Sequence, residues 1–107
     1  MTKITYTRHP KVSLTVDGHC NAPRQSGHDL CCAAVSMLSM AFVGRIENLK
    51  VADKVICLGD GYAHAEFTPR GKNGKRGIEA MNTILTGFML LREKYPDNIK
   101  ITGGKNE

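Results

Sequence analysis

The segment that decides the fold reads GHCNAPRQSGHDLCCAAVS and runs from Gly18 to Ser36. Upstream of it, Val12, Leu14 and Val16 alternate with polar residues, which is the period of a β-strand. Downstream of the turn-forming residues 21–27, apolar residues recur every three or four positions, which is the period of an α-helix. The segment is therefore predicted to place a histidine at the end of a strand, then a loop, then cysteines at the start of a helix.

The predicted helix is apolar around most of its circumference. Asp29 is its expected N-cap, because a carboxylate can accept hydrogen bonds from the free backbone N–H groups of the first turn. The helix is predicted to end near Asn48. Its apolar residues form two stripes, Leu30, Ala34, Met37 and Ala41 in one and Cys31, Val35, Leu38, Phe42 and Ile46 in the other. A surface helix needs one such stripe, so this helix is expected to be central or to pack against a second subunit.

The rest of the chain follows the same two periods. Strands are predicted at Lys3–Thr7, Val12–Asp17, Val55–Leu58, Tyr62–Thr68 and Ile99–Thr102, and a second helix is predicted to begin at Ile78 and to end before Pro96. The order ββαββαβ indicates an α+β fold in which a mainly antiparallel sheet packs with two helices. A chain of 107 residues has room for one core, so residues 1–107 are predicted to form a single domain.

Composition narrows the class of protein. The chain is 41% apolar and 23% charged, which is typical of globular domains. No apolar run approaches the roughly 20 residues of a membrane span, and no signal-peptide core is visible, so a cytoplasmic protein without membrane contact is expected. Aromatic residues make up 6% of the chain. Without a stacking platform of aromatics, direct nucleic-acid binding is disfavoured.

Part of the net charge of +5 comes from one segment in which basic residues are concentrated. Arg70, Lys72, Lys75 and Arg76 crowd the glycine-containing stretch TPRGKNGKRG. Residues 69–77 are interpreted as a solvated basic loop. The alternative is a contact for RNA phosphates or for an acidic partner.

Four cysteines, Cys20, Cys31, Cys32 and Cys57, are expected to be free thiols in a reducing compartment. A free thiol has a pKa near ~8.5, so little thiolate forms at neutral pH. A helix N-terminus favours the thiolate through its dipole and its unpaired N–H groups. The imidazole of His19 could take the thiol proton and later protonate a leaving amine. Adjacent helical residues point about 100° apart, and both Cys31 and Cys32 lie near the helix start, so either of them could be the nucleophile.

Structural roles are the alternative for several of the cysteines, histidines and methionines. Free cysteines are commonly small buried residues, which is the prediction for Cys57 in the apolar run VICL. His9 and His64 are predicted to lie at the surface. The methionines predicted to fill the core are Met37, Met40, Met81 and Met89.

A metal site is the second functional alternative to a cysteine nucleophile. Its nitrogen and sulfur ligands would come from His19, Cys20, His28, Cys31 and Cys32. No C-x₂-C pair is present, and adjacent helical ligands diverge, so neither a metal nor a cofactor is predicted.

The segment closely resembles the Prp family of ribosomal-processing cysteine proteases. The family pattern is Gly-His, a Gly-rich loop and Gly-x-Asp-(Ile/Leu)-x-Cys-Ala-(Ala/Gly)-x-Ser, which here reads Gly18-His19 and then GHDLCCAAVS from Gly27 to Ser36. The resemblance implies that Cys32 is the nucleophile and His19 its general base. It also implies a homodimeric endopeptidase that removes the N-terminal extension of a large-subunit ribosomal protein precursor, cutting after an aromatic residue.

Asp29 lies near His19 in the sequence and is a candidate support for it, besides its capping role. The loop is expected to fold over substrate, although Pro23 and the scarcity of glycine depart from the family pattern. Its candidate substrate contacts are Asn21, Arg24, Ser26 and Gly27. Two rival functions are a non-catalytic, ribosome-associated binding protein of the same fold and a small thiol-dependent metal or redox protein.

Overall fold

The computed structural model describes residues 1–24 and 27–103. Its elements are β1 (Thr2–Thr7), β2 (Val12–Asp17), α1 (Leu30–Glu47), β3 (Ala52–Gly59), β4 (Tyr62–Thr68), α2 (Gly71–Lys94) and β5 (Ile99–Gly103). The predicted ββαββαβ order and the α+β class are confirmed.

The five strands form one sheet in the order β3-β4-β2-β1-β5. Only the β1–β5 pair is parallel, and the other three pairs are antiparallel. Ile4, Leu14 and Ala65 point to one face of the sheet and are buried, whereas their neighbours in sequence are half-buried or exposed. The two helices pack on each other and on this buried face, so the molecule has two layers and one sheet face without helices.

The core lies between the sheet and the two helices. The second stripe predicted for α1 is the one that packs inward, and Cys31, Phe42 and Ile46 are at most 1% exposed. From α2, Met81, Leu85 and Phe88 complete the core, which places them at helical spacing opposite the sheet. The first stripe of α1 stays outside the core.

The second helix begins seven residues earlier than predicted, at Gly71. Most of the basic stretch is therefore helical, because Lys72, Lys75 and Arg76 lie in the first turns of α2 and Arg70 is its N-cap. Its glycines are packing residues, because a Cβ on Gly74 would lie 2.8 Å from the backbone of Pro69 and a Cβ on Gly77 would collide with the ring of Phe67. Close approach of the helix to the sheet, and not chain reversal, explains these glycines.

Two predictions about the core are wrong. Cys57 is exposed, because β3 is an edge strand and Cys57 points to the face of the sheet that lacks helices. Met37, Met40 and Met89 are 71%, 51% and 40% exposed, and only Met81 of the four is buried.

His64 is less exposed than predicted. Its side chain is 17% exposed. Nδ1 shares a hydrogen bond of 2.7 Å with the Thr15 hydroxyl, and Nε2 shares one of 2.8 Å with Glu66. The hydrogen bond from His64 lowers the pKa of the Glu66 carboxyl, so this chain of polar groups stabilises the outer face of the sheet.

Among the described residues, α1 is the one helix long and apolar enough to cross a membrane, with a mean hydropathy of 1.5 over 18 residues. The core helix of a globular domain meets the same criteria. In this fold α1 packs against α2 and β4. The apolar residues of α1 that lie outside the core are those of its first stripe.

Candidate active site

A cleft of about 310 Å³ opens between the start of α1 and the turn that joins β3 to β4. Its lining comprises Val16, Gly18, His19, Cys32, Val35, Ser36, Ser39, Met40, Leu58, Gly59, Asp60, Gly61, Tyr62 and Ala63. His19 and Cys32, which lie on opposite sides of the loop in sequence, therefore face one cavity.

The structure separates the two adjacent cysteines. Cys32 lines the cleft and is half-buried. Cys31 is 0% exposed and belongs to the core. Since neighbouring helical side chains diverge, only one of them can reach the cleft, and that one is Cys32.

Asp29 connects the loop to the helix start. It is the N-cap of α1, as predicted, and its Oδ1 accepts the backbone N–H of Cys32 at 2.9 Å. Its Oδ2 accepts the backbone N–H of Ala22 at 3.3 Å. Both carboxylate oxygens are thus engaged by backbone donors, which fixes the position of Cys32 relative to the strand-side end of the loop.

Cys31 has no acidic function at neutral pH. Burial, followed by a hydrogen bond with the thiol of Cys20, raises the pKa of Cys31 to about 12. Cys20 is 1% exposed, and its sulfur lies 3.2 Å from the hydroxyl of Thr2. Both thiols therefore serve as packing groups behind the cleft.

The backbone around His19 is fixed by four hydrogen bonds from distant parts of the chain. The carbonyls of Gly18, His19 and Cys20 accept from the Thr2 hydroxyl, the Met1 amino group and the Asn98 side chain at 3.0, 2.8 and 3.0 Å. The Gly18 N–H donates to the carbonyl of Gly61 at 2.8 Å. This segment follows a strand and forms no further strand or helix, so these bonds are what position the histidine.

The imidazole of His19 lies directly against Gly61. A Cβ on Gly61 would lie 2.8 Å from Nε2 of His19, and Gly61 has a φ of +63°, a conformation that glycine adopts most easily. Among the described residues, Asp60 has its carboxylate within 4 Å of this ring, with Oδ1 3.7 Å from Nε2. Because both oxygens of Asp29 are already engaged, Asp60 is better placed than Asp29 to face His19.

The hairpin residues that line the cleft were missed at the level of sequence. Gly59-Asp60-Gly61 lies between the predicted strands Val55–Leu58 and Tyr62–Thr68, and no functional role was predicted for it. Two glycines around an acidic residue are a turn signal. The pairing of β4 with β2, in which Tyr62 lies opposite Asp17, places this turn beside His19.

The predicted substrate-loop residues are partly described. Asn21 has a φ of +54° and Gly27 a φ of +80°, and Nη1 of Arg24 donates to the carbonyl of Gly27 at 3.1 Å. Ser26 lies outside the described residues. The role of these four residues in substrate binding remains a prediction.

The candidate metal ligands do not gather in the described part of the chain. No group of three or more His, Cys, Asp or Glu side chains suited to a metal ion occurs in residues 1–24 and 27–103. His28 is exposed, whereas Cys20 and Cys31 are buried.

The solved structures that share this fold include the following three. Two are of the ribosomal processing protease Prp from S. aureus, one with a covalently linked product peptide and one with a substrate peptide. Each is 24% identical to this chain, covers 97% of it over 100% of its own length, and superposes with TM-scores of 0.76 and 0.74. The third is SMU.848 from Streptococcus mutans, 26% identical, which covers 97% of this chain and 96% of its own, with a TM-score of 0.66.

No curated protein matches the chain. The protein family described as cysteine protease Prp matches residues 1–100, which include the whole cleft. The chain therefore belongs to the Prp family of cysteine proteases.

Proposed function

We propose that this cysteine protease removes an N-terminal extension from the precursor of a large-subunit ribosomal protein, with Cys32 as nucleophile and His19 as general base. The S. aureus structures with substrate and product peptides belong to a ribosomal processing protease, which supports the substrate class. The observation that carries the proposal is that His19 and Cys32 line one cleft, while Cys31 is buried.

In the proposed mechanism, His19 and Cys32 act in successive steps. His19 takes the thiol proton of Cys32, and the sulfur attacks the scissile carbonyl carbon, whose π electrons move to the oxygen. The tetrahedral intermediate collapses and expels the amine, which receives the proton from His19. A water molecule, deprotonated by His19, then hydrolyses the thioester and restores the thiol.

The oxyanion of this intermediate needs hydrogen-bond donors. The N–H of Cys32 already donates to Asp29 at 2.9 Å, so the nucleophile's own amide is engaged. Ser36 follows Cys32 by about one helical turn and lines the same cleft. We therefore assign the Ser36 hydroxyl as a donor to the oxyanion.

The lining of the cleft supports cleavage beside an aromatic residue. Val16, Val35, Met40, Leu58 and Tyr62 contribute apolar surface next to Cys32. Apolar pockets gain binding free energy from the area that a large side chain buries. A substrate with Phe at the cleaved bond should therefore be preferred over one with Asp there.

We also propose that the protein is a homodimer. Met37 and Leu90 are 71% and 62% exposed, and together with Leu38 and Leu91 they line an apolar groove of about 420 Å³ between the helices. Exposed apolar surfaces of this kind favour association. Light scattering should give twice the chain mass, Leu90→Glu should give the monomer, and Lys100→Glu on the opposite face of the sheet should not. A wild-type monomer at all concentrations would contradict the dimer.

The cytoplasm is the proposed location, because a ribosomal protein precursor is made there. The function is tested with synthetic peptides that copy the N-termini of ribosomal protein precursors, followed by mass spectrometry of the products. The wild-type protein should cleave one peptide class after an aromatic residue.

Two variants assign the nucleophile. Cys32→Ala should abolish cleavage with the fold intact, and Cys31→Ala should retain substantial activity. An inactive Cys31→Ala protein beside an active Cys32→Ala protein would show that the nucleophile is assigned to the wrong residue. Peptide binding without cleavage by the wild-type protein would support the non-catalytic binding protein instead.

A further inference from the structure

A second groove, of about 390 Å³, lies between the end of α1 and the start of α2. It is lined by Arg45, Lys75, Arg76, Glu79, Ala80 and Thr83. Three of these side chains are cationic and one is anionic. Arg70 and Lys72, which are also exposed, lie at the start of the same helix. We refer to Arg45, Arg70, Lys72, Lys75 and Arg76 as the basic surface.

The cations of the groove form no ion pair in the described part of the chain, although Glu79 lines the same groove. Within residues 1–24 and 27–103, none of the ion pairs involves Arg45, Lys75 or Arg76. Arg76 donates to the neutral side-chain oxygen of Asn73 at 2.9 Å. Neighbouring like charges on a helix are unfavourable, so the stability of the fold does not explain this cluster.

The basic surface is remote from the cleft. Leu38 of α1 packs against Gly87 of α2, while Arg45 lies near Lys75, so the two helices are antiparallel. Cys32 is in the first turn of α1 and Arg45 in the last, which separates them by roughly 20 Å at 1.5 Å per residue. A ligand on the basic surface therefore leaves Cys32 accessible.

We propose that the basic surface binds the phosphate backbone of RNA while the cleft holds a peptide. The proposal rests on the proposed function, since a ribosomal protein precursor assembles onto RNA. The guanidinium groups of Arg45 and Arg76 can each donate two parallel hydrogen bonds to a phosphate. Lys72 and Arg76 lie about one turn apart on α2, roughly 5.4 Å, and so form a row of cations along one helix.

RNA fits this surface better than an acidic peptide does. Proteins that assemble onto RNA are basic because they neutralise phosphates, so the basic surface repels the precursor itself and attracts the RNA beside it. The low aromatic content argued against a nucleic-acid module that stacks bases. Contacts to phosphates need no stacking, and none of the described residues that line the groove is aromatic.

The test is fluorescence anisotropy with a labelled 20-base-pair RNA duplex at several KCl concentrations. Non-specific binding of this kind has a Kd of roughly 10⁻⁴ to 10⁻⁶ M at physiological salt. The double variant Lys75→Gln/Arg76→Gln removes two cations from the basic surface. It should reduce the slope of log K against log[KCl] by about 1.8.

The matched control is Lys3→Gln/Lys100→Gln, which removes the same charge from two paired, exposed residues of β1 and β5. Its salt slope should stay close to that of the wild type. Equal changes in the two double variants would show that only net charge matters and would overturn the proposal. Displacement of the RNA by poly-glutamate at equal charge concentration would overturn it in favour of an acidic partner.

Cleavage of a short peptide separates this proposal from the proposed function. Lys75→Gln/Arg76→Gln should cleave the peptide at the wild-type rate, because the basic surface does not touch the cleft. Loss of RNA binding with cleavage retained supports the basic surface as a separate site. Cleavage by a wild-type protein that does not bind the duplex overturns the inference and leaves the protease function standing.

Discussion

The two helices of this protein begin in opposite electrostatic surroundings. α1 starts at Asp29, whose carboxylate accepts the N–H of Cys32. α2 starts at Arg70, whose side chain makes no capping hydrogen bond, and Lys72 follows in its first turn. Both starts have unpaired N–H donors and the positive end of a helix dipole. The Asp29 carboxylate therefore stabilises the N-terminus of α1 and fixes the position of Cys32. At the N-terminus of α2 no carboxylate offsets the positive potential of the helix dipole, which extends into the solvent.

The largest expected effect is at His19, which faces the α1 start across the cleft. His19→Ala should lower kcat by at least ~10²-fold, the usual contribution of a general base. His28→Ala, an exposed histidine beside the same helix start, should lower it far less. Peptide cleavage followed by mass spectrometry provides both rates. Equal losses in the two variants would argue against a specific role for His19.

The turn beside His19 offers the next largest effect. In Gly61→Ala the new Cβ would lie 2.8 Å from Nε2 of His19, so the ring must move. A shift of about 1 Å at a catalytic group can cost up to ~10²-fold in rate, and we expect kcat to fall by ten-fold or more with KM nearly constant. Gly59→Ala, whose Cβ would meet only Tyr62 at 3.9 Å, should have the smaller effect on kcat.

Alkaline pH should weaken the packing behind the α1 start. Since burial raises the pKa of Cys31 to about 12 from 9.0, the folded protein keeps a proton that the unfolded chain loses above pH 9. The free energy of unfolding should therefore be unaffected below pH 9 and fall between pH 9 and 12, by up to about 1.4 kcal/mol per pH unit. Urea titrations of the wild type and of Cys31→Val should diverge in this range. Parallel curves would rule out this contribution.

Substitutions of Asp29 distinguish the contributions of its two hydrogen bonds, to the N–H groups of Cys32 and Ala22. Asp29→Ala should destabilise the fold by about 1 kcal/mol through loss of the cap. Asn is also a good N-cap, but its amide has one acceptor oxygen where the carboxylate offers two. Asp29→Asn should therefore retain most of the stability and lose the bond to Ala22, which would appear as faster hydrogen exchange of the Ala22 amide. Unchanged exchange would contradict the bridging role.

The smallest expected effect is an increase in stability at the α2 start. Lys72→Glu places an anion in the first turn and should stabilise the protein by roughly 0.3–1 kcal/mol. Lys94→Glu makes the same change in the last turn of α2 and should destabilise it by a similar amount. Urea midpoints measure both. A loss of stability in Lys72→Glu would mean that Lys72 stabilises the fold through a contact of its own.

The sequence was sufficient for elements whose signals are local. The alternation in β2 and β4 and the inward stripe of α1 come from side chains that meet one core, so their periods appear directly in the chain. The cap at Asp29 was predictable for the same reason, since a capping residue and the N–H groups that donate to it lie within three positions of each other.

What the sequence did not predict depends on distant partners. The glycines at positions 74 and 77 look like loop residues until Pro69 and Phe67 are seen to press against them. Cys57 lies in an apolar run, yet its strand has no neighbour on one side. The position of Gly61 beside His19 depends on the pairing of β2 with β4, two strands distant in the chain, which no local pattern specifies.

The exposure of Cys57 has a practical use in spectroscopy. Of the described thiols, Cys20 and Cys31 are buried, so in a Cys32→Ala protein a maleimide dye should attach at Cys57 alone. Cys57 precedes Asp60 by three residues on the hairpin, a reach of roughly 10 Å at 3.3 Å per residue. A dye there would lie on the sheet face without helices and would label the hairpin that lines the cleft without entering the cleft. Its emission would then report peptide arrival in real time, in a protein that cannot consume the peptide.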